Sequence, residues 1–303
     1  MAATPAASPR AGTAVPDAAG GARAGADAAA LALRGIDFSS RPTRRKPIVI
    51  AVGRLRAPPA GGRAAVQLLD LRQLPSLDDY AASLAEPGPW VAGCDFPFGL
   101  PRELVQQLGW PGEWPALMHH YAALERATIR ATFAAFCAAR PAGAKFAHRA
   151  CDRPAGSSPS MKWVNPPVAY MLHAGVPPLL AAGCDLPGLH PGDPTRRALE
   201  AYPGLLAREL IGRTPYKSDE RARQTDDQRQ ARERLLDALT AGQGRPGLAL
   251  RLDPALREAL LADARGDALD ATLCLLQVAW ASQQPRWGWP AQVDPLEGWI
   301  LTA

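Results

Sequence analysis

Three apolar segments follow one another near the start of the chain, separated only by short basic or Gly- and Pro-rich stretches. They are residues 31–39, 47–52 and 64–71. Apolar runs of this length, bounded by turn residues, are typical of β-strands, and short connections join antiparallel neighbours. The order therefore predicts an antiparallel three-stranded meander at the start of the fold.

A helix and a fourth strand are predicted to follow this meander. Ser76 offers an N-cap to a segment with apolar residues at helical spacing, and the Pro-Gly-Pro stretch at 87–89 ends that segment. The apolar run 90–96 predicts the fourth strand. From residue 101 to residue 193, proline and glycine interrupt short helical segments, and the longest helix predicted there is 116–139.

Regular structure resumes in four later segments: 197–206 and helices at 226–241, 254–264 and 267–282. We therefore expect an α/β fold with a mixed sheet, in which three antiparallel strands are followed by parallel strands, flanked by helices. A largely helical insertion is expected at about 102–193, within a single domain at 31–303. Residues 1–30 are nearly all Ala, Pro, Gly, Thr and Ser with a few charged residues, and this composition predicts a disordered leader.

Composition excludes several classes of protein. The chain is 47% hydrophobic and 21% charged, which is ordinary for a globular protein. No uncharged apolar run reaches the roughly 18 residues of a membrane-spanning helix, so no membrane partner is expected. The five scattered cysteines form no zinc-ligand spacing and the N-terminus lacks a secretory signal, which together predict a cytoplasmic location.

Basic residues concentrate in two stretches. Residues 34–46 and residues 140–162 each hold five Lys or Arg against one Asp. Local basic patches on a near-neutral body suit a polyanionic partner, such as nucleic acid or a nucleotide. Solvated surface loops are the alternative interpretation of each stretch.

Two aspartates lie within the most apolar segments. Asp37 belongs to the first predicted strand and Asp95 to the fourth. A carboxylate within an apolar strand is costly to bury unless it is paired, hydrogen-bonded or bound to a metal. The alternative is that each aspartate caps a turn just beyond its strand.

A second pair of aspartates opens the last predicted helix. Asp267 and Asp270 are three residues apart, so they project from one helix face, which continues through the small residues Ala271 and Cys274. Capping by Asp267, with Asp270 favoured by the helix dipole, is the alternative. Capping does not explain why the aspartates share the face that permits close approach to a sheet. Carboxylates clustered from two strands and a helix are suitable ligands for Mg²⁺ or Mn²⁺.

Four short segments together carry a resemblance to known proteins: 35–39 (GIDFS), 95–101 (DFPFGLP), 200–204 (EAYPG) and 267–271 (DALDA). In this order they are similar to the ribonuclease-H-like superfamily. They more closely resemble a family of uncharacterised bacterial and archaeal proteins described as predicted RNase H-like nucleases. The resemblance covers about residues 34–300. It implies three antiparallel strands, a helix and a fourth strand, with acidic residues on the first strand, the fourth strand and a late helix.

The resemblance also implies roles for the acidic residues. Asp37 would bridge two Mg²⁺ or Mn²⁺ ions, with Asp95 and Asp270 completing the metal ligands and Asp267 or Glu200 in support. Many superfamily nucleases carry Glu at the fourth-strand position, and Asp95 has a shorter reach. Glu200 is an additional ligand, a general base or merely an edge charge.

Several residues are candidate contacts to phosphate groups, because cationic and small hydroxyl side chains bind phosphates. They are Ser39, Arg153, Lys162, Lys217 and Arg223. A surface loop is the alternative around Lys162, and a self-paired helix surface is the alternative for much of the segment after Lys217.

Two functions of different classes follow. The first is a metal-dependent nuclease or phosphodiesterase that acts on nucleic acid or a nucleotide. The second is a catalytically silent RNase H-like module that binds nucleic acid or a protein. An ATP-dependent phosphotransferase of the actin and sugar-kinase type is disfavoured, because no glycine-rich hairpin follows Asp37.

Overall fold

Seven strands form one mixed sheet in the computed structural model, which describes residues 31–58 and 62–303. The strands are β1 (Ala32–Asp37), β2 (Ile48–Arg56), β3 (Ala65–Leu74), β4 (Trp90–Cys94), β5 (Cys184–Asp185), β6 (Asp193–Glu200) and β7 (Ala249–Arg251). The first three pair antiparallel, whereas β4 runs parallel to β1 and β6 runs parallel to β4. The spatial order is β5-β6-β4-β1-β2-β3-β7. The predicted α/β fold with antiparallel and then parallel strands is confirmed, and the leader predicted at 1–30 lies outside the described residues.

Helices cover both faces of this sheet. Those in the described ranges are α1 (Leu77–Leu84), α2 (Arg102–Gln107), α3 (Trp114–Ala122), α4 (Arg126–Ala138), α5 (Asp152–Ala155), α6 (Val168–Ala181), α7 (Pro203–Ile211), α8 (Asp226–Thr240), α9 (Pro254–Ala262) and α10 (Asp267–Ala281). Ser76 caps α1 as predicted, since its hydroxyl accepts from the amide of Asp79 at 3.0 Å. No helix among the described residues has both the length and the apolar character needed to cross a membrane.

The sheet separates two apolar cores, because neighbouring residues of a strand point to opposite faces. Ile48 and Ile50 of β2 face the core that α1, α3, α4 and α6 cover. Val49 and Ala51 face the core beneath α7, α8, α9 and α10. Both faces of β2 are therefore apolar, and the central strands are buried on both sides.

Helix α10 lies unusually close to the sheet. A Cβ atom on Gly35 of β1 would lie 1.9 Å from the carbonyl oxygen of Ala271, and one on Gly93 of β4 would lie 2.8 Å from that of Cys274. These contacts leave room only for glycine on the strands. The expected approach of the small-residue helix face to a sheet is therefore confirmed, and it brings the start of α10 to the ends of β1 and β4.

The region between β4 and β6 differs in detail from the sequence prediction. The helix predicted at 116–139 is two helices, α3 and α4, with extended backbone at Glu125 between them. Buried Tyr121 and Ile129 lie on either side of this break, so the apolar periodicity continues across it. Helix α6 continues through Pro177 and Pro178, and its buried residues anchor it to the core despite the two missing amide donors.

Candidate functional site

Three aspartate side chains meet at one edge of the sheet. Asp37 is the last residue of β1, Asp95 follows the end of β4, and Asp270 lies in the first turn of α10. One carboxylate oxygen from each of the three lies within 4.8 Å of those of the other two. Asp37 and Asp95 are half-buried and Asp270 is fully buried. The sequence interpretation that these three residues form one cluster agrees with this geometry.

Strand register explains why Asp37 and Asp95 are neighbours. Ile36 pairs with Cys94 in the parallel ladder, and the amide of Asp95 donates to the carbonyl of Ile36 at 2.9 Å. The next residue of each strand is therefore the aspartate. Both carboxylates lie at the carboxyl ends of parallel strands, where ligand sites of open α/β sheets are commonly found.

Asp270 is held by two side chains that precede α8. The hydroxyl of Tyr216 donates to Oδ1 of Asp270 at 2.5 Å, and the ammonium of Lys217 contacts Oδ2. Buried Arg232 of α8 supports this segment by donating to the carbonyl of Tyr216 at 2.8 Å. Both oxygens of Asp270 are thus oriented by donors from a separate part of the chain.

The cluster has unusual proton affinity. Desolvation and the charge of Asp270 raise the pKa of Asp37 well above its usual value, against the opposing charge of Lys217. The same causes raise the pKa of Asp95 to about 7. Desolvation lowers the pKa of Lys217, but the negative charges around it, Asp270 foremost, outweigh that effect and hold the pKa well above its usual value. The carboxylates therefore compete for one nearby cation, and further positive charge would relieve their repulsion.

Asp267 lies beside the cluster without joining it. Its carboxylate accepts from Nε of Arg265 at 3.1 Å, and the side chain is almost fully buried. The N-cap residue of α10 is Gly266 in the left-handed conformation, and the side chain that accepts from a first-turn amide is that of Asp263, from Ala268 at 2.9 Å. The capping alternative for Asp267 therefore does not describe this helix start.

Glu200 is occupied by a buried ion pair. The guanidinium of Arg149 donates to both of its oxygens at 2.7 Å, and the amide of Phe98 donates to one of them at 3.0 Å. Arg149 also donates to Asp152 at 2.9 Å. Glu200 ends β6 beside Asp95. Its two oxygens accept from Arg149 of the insertion, so they join the insertion to the sheet.

The two basic stretches are only partly on the surface. Arg34 is 6% exposed and donates to Ser83 and Glu86, and Arg149 is 2% exposed. These two arginines stabilise the interior, so the interpretation of the stretches as surface patches was wrong for them. Their carboxylate partners could not be recognised from the sequence, because Glu86 and Glu200 are distant along the chain.

Among the candidate phosphate contacts, Lys217 alone touches the cluster. Lys162 donates to the carbonyl of Asn165 at 2.7 Å, and Arg223 pairs with Glu220 at 2.9 Å. Arg153 is exposed in α5, and the hydroxyl of Ser39 lies two residues beyond Asp37 on the wall of a separate cleft. These residues surround the sheet edge rather than converging on one point.

Two cavities open beside the carboxylates. One of about 210 Å³ is lined by Asp95 and Lys217 together with the hydroxyl residues Ser157, Ser158 and Tyr202. The other, of about 570 Å³, is lined by Asp95, Asp270 and Lys217 and by the cations Arg208 and Arg213. Arg208 and Arg213 were not predicted as site residues, because nothing in the sequence distinguishes them from the other arginines of the chain.

No protein-family model, curated protein or solved structure matches the chain.

Proposed function

We propose that the protein is a divalent-metal-dependent phosphodiesterase or nuclease on an RNase H-like fold. The observation that carries the proposal is the cluster of Asp37, Asp95 and Asp270, whose oxygens approach within 4.8 Å of one another. Carboxylates in such proximity repel one another, and a bound cation would offset that repulsion.

The donor set fits a hard divalent cation. Asp37, Asp95 and Asp270 would hold Mg²⁺ or Mn²⁺, because such ions prefer carboxylate oxygens and remain partly hydrated. Bound there, the ion supplies Lewis-acid activation of water and of phosphoryl oxygens. The cluster is open to the cavities beside it through Asp95, which lines both, and Asp270, which lines the larger one.

Protein side chains around the cluster suit an anionic substrate. The side chain of Lys217 is 41% exposed and lines both cavities. Arg208 and Arg213 add positive charge to the larger cavity, where they would orient and neutralise a phosphate. Tyr216 holds the carboxylate of Asp270 in one orientation, which removes a reorganisation cost during catalysis.

Topology supports the RNase H-like part of the proposal. The meander β1 to β3, the helix α1 and the parallel strand β4 occur in the order that the resemblance implies. The clustered carboxylates come from the first strand, the end of the fourth strand and the late helix α10. Fold analogy alone does not define an activity, so the cluster remains the main argument.

Cleavage assays test the proposal. Wild-type protein is incubated with single- and double-stranded DNA, RNA, an RNA–DNA hybrid and a four-way junction, in Mg²⁺, Mn²⁺ or EDTA. We expect metal-dependent cleavage of at least one substrate, lowered by more than about 100-fold in Asp37→Asn. The matched control is Asp78→Asn, since Asp78 is an exposed aspartate in α1.

Two results would contradict the proposal. Equal cleavage by wild type and Asp37→Asn would show that the carboxylate cluster takes no part in the reaction. Salt-sensitive binding of nucleic acid that ignores divalent metal, with no cleavage of any substrate, would instead support the catalytically silent binding module.

A further inference from the structure

A positively charged cleft, separate from the two cavities beside the carboxylates, is lined by the segment that follows β1. It has a volume of about 660 Å³ and lies between the segment that follows β1 and the helices α4 and α6. Its cations come from two distant parts of the chain: Arg41 and Lys46 from the β1–β2 connection, and Arg126 and Arg130 from α4. The hydroxyl residues Ser39 and Ser40 complete its wall.

Most of this positive charge is uncompensated. Lys46 pairs with Asp219 at 2.7 Å, whereas within residues 31–58 and 62–303 no carboxylate lies within ion-pair distance of Arg41, Arg126 or Arg130. Arg126 and Arg130 are four residues apart on α4, a spacing at which like charges repel. An anion bound between them would relieve that repulsion.

Arg126 is already oriented for such a ligand. Its guanidinium donates to the carbonyl of Ser40 at 2.6 Å and lies over the ring of Tyr170, 5.1 Å from the ring centroid. Arg41 lines the same cleft, and partial burial together with the charge of Arg41 lowers the pKa of Arg126. A guanidinium fixed in this way loses less conformational entropy when it binds a phosphate.

The cleft is close to the carboxylate cluster. Ser40 is three residues beyond Asp37, so their Cα atoms are separated by no more than about 11 Å. A strand whose phosphates lie in the cleft would therefore pass close to the carboxylate cluster.

We propose that the cleft of Arg41, Lys46, Arg126 and Arg130 binds the phosphate backbone of a polynucleotide. The inference rests on the proposed function only where it makes this polynucleotide the substrate of the neighbouring cluster. Backbone contacts of this kind position a strand without reading its sequence.

Fluorescence anisotropy in EDTA tests the binding separately from cleavage. A labelled 20-nucleotide single strand is titrated with full-length protein at several salt concentrations. The test variant is Arg41→Gln/Arg130→Gln, because the side chains of Arg41 and Arg130 make no ion pair among the described residues and their loss leaves packing intact. The control is Arg54→Gln/Arg234→Gln, which removes two exposed arginines from β2 and α8, outside the cleft.

We expect the test variant to bind about ten-fold more weakly and to lose about 1.4 from the slope of log affinity against log salt, as for two phosphate contacts to a single strand. The control should bind like wild type. Three results would each overturn the inference. They are unchanged affinity in the test variant, equal losses of affinity in the test and control variants, and binding of labelled polyglutamate as tightly as the oligonucleotide. If the test variant loses binding but the wild-type protein cleaves no substrate, the result would support the proposed role of the cleft and contradict the proposed nuclease activity.

Discussion

Tyr216 donates a 2.5 Å hydrogen bond to Oδ1 of Asp270, the most buried carboxylate of the cluster. Lys217, the next residue, contacts the other oxygen. A segment outside the three carboxylate-bearing elements thus fixes the orientation of Asp270. Outer-shell partners of this kind orient metal ligands, so the segment contributes directly to the candidate site.

Removal of the Tyr216 hydroxyl should weaken metal binding. Tyr216→Phe leaves Oδ1 of Asp270 without its donor while keeping the buried ring, and we expect Mn²⁺ affinity to fall by about ten-fold with little loss of stability. Calorimetric titration measures this. Tyr80→Phe is the control, since the buried hydroxyl of Tyr80 has no partner. Equal Mn²⁺ affinity in wild type and Tyr216→Phe would show that the hydrogen bond does not organise the site.

The close approach of α10 to β1 makes Gly35 irreplaceable. In Gly35→Ala the new Cβ would meet the carbonyl oxygen of Ala271 at 1.9 Å, so backbone must shift and the free energy of unfolding should fall by about 3 kcal/mol or more. Urea denaturation measures the loss. Gly112→Ala, with nothing within 4 Å of its new Cβ, should change stability by less than about 0.5 kcal/mol. Similar values for the two variants would contradict this close packing of α10 on β1.

Metal affinity should depend strongly on pH. The pKa of Asp95 is raised from 3.8 to about 7 in the metal-free protein, so below that pH a proton occupies the carboxylate that is proposed to hold the ion. A divalent ion must displace this proton, and we expect Mn²⁺ affinity at pH 5.5 to be at least about ten-fold weaker than at pH 7.5. Titrations at both pH values, in buffers matched for ionic strength, measure the ratio. An affinity that does not change over this range would contradict the raised pKa.

The same shift has a consequence for the stability of the metal-free protein. A carboxyl whose pKa is higher in the folded than in the unfolded state stabilises the fold fully at low pH, and that stabilisation is lost as the pH rises through the folded pKa. For Asp95 the loss falls between about pH 4 and pH 7. In EDTA, Asp95→Asn should therefore show a smaller fall in stability across this interval than wild type, as measured by urea denaturation at each pH.

The buried Arg149 ion pair should be essential to the fold. Arg149→Met removes the cation and leaves Glu200 and Asp152 buried without it, so we expect a loss of about 3–5 kcal/mol in the free energy of unfolding. Arg229→Met breaks an exposed pair with Glu258 and should cost less than about 1 kcal/mol. Comparable losses in the two variants would contradict the buried network.

Much of the sheet could be predicted from local patterns. The segments that form β1 to β4 are bounded by turn residues. Ser76 is the N-cap of α1, as its place before the helical segment predicted. Asp37, Asp95 and Asp270 could be predicted to form one cluster because each is a charged residue within or beside an apolar segment. Burial of a charge is visible in sequence when the surrounding residues are uniformly apolar.

Features that depend on distant partners could not be predicted. Strand β7 has three residues and exists because it pairs with β3. In the sequence, Arg149 cannot be distinguished from a surface arginine, because its partner Glu200 is 51 residues away along the chain. The basic cleft likewise combines the β1–β2 connection with α4, which no local pattern relates.

Calorimetric titration with Mn²⁺ tests the central claim most directly. Wild type, Asp37→Asn and Asp270→Asn are compared with Asp78→Asn, and melting in EDTA verifies that each variant is folded. The account predicts micromolar Mn²⁺ binding by wild type and Asp78→Asn that is lost in both cluster variants, because the two aspartates are ligands to one centre. Absence of Mn²⁺ binding by wild type, or binding that neither cluster substitution alters, would contradict it.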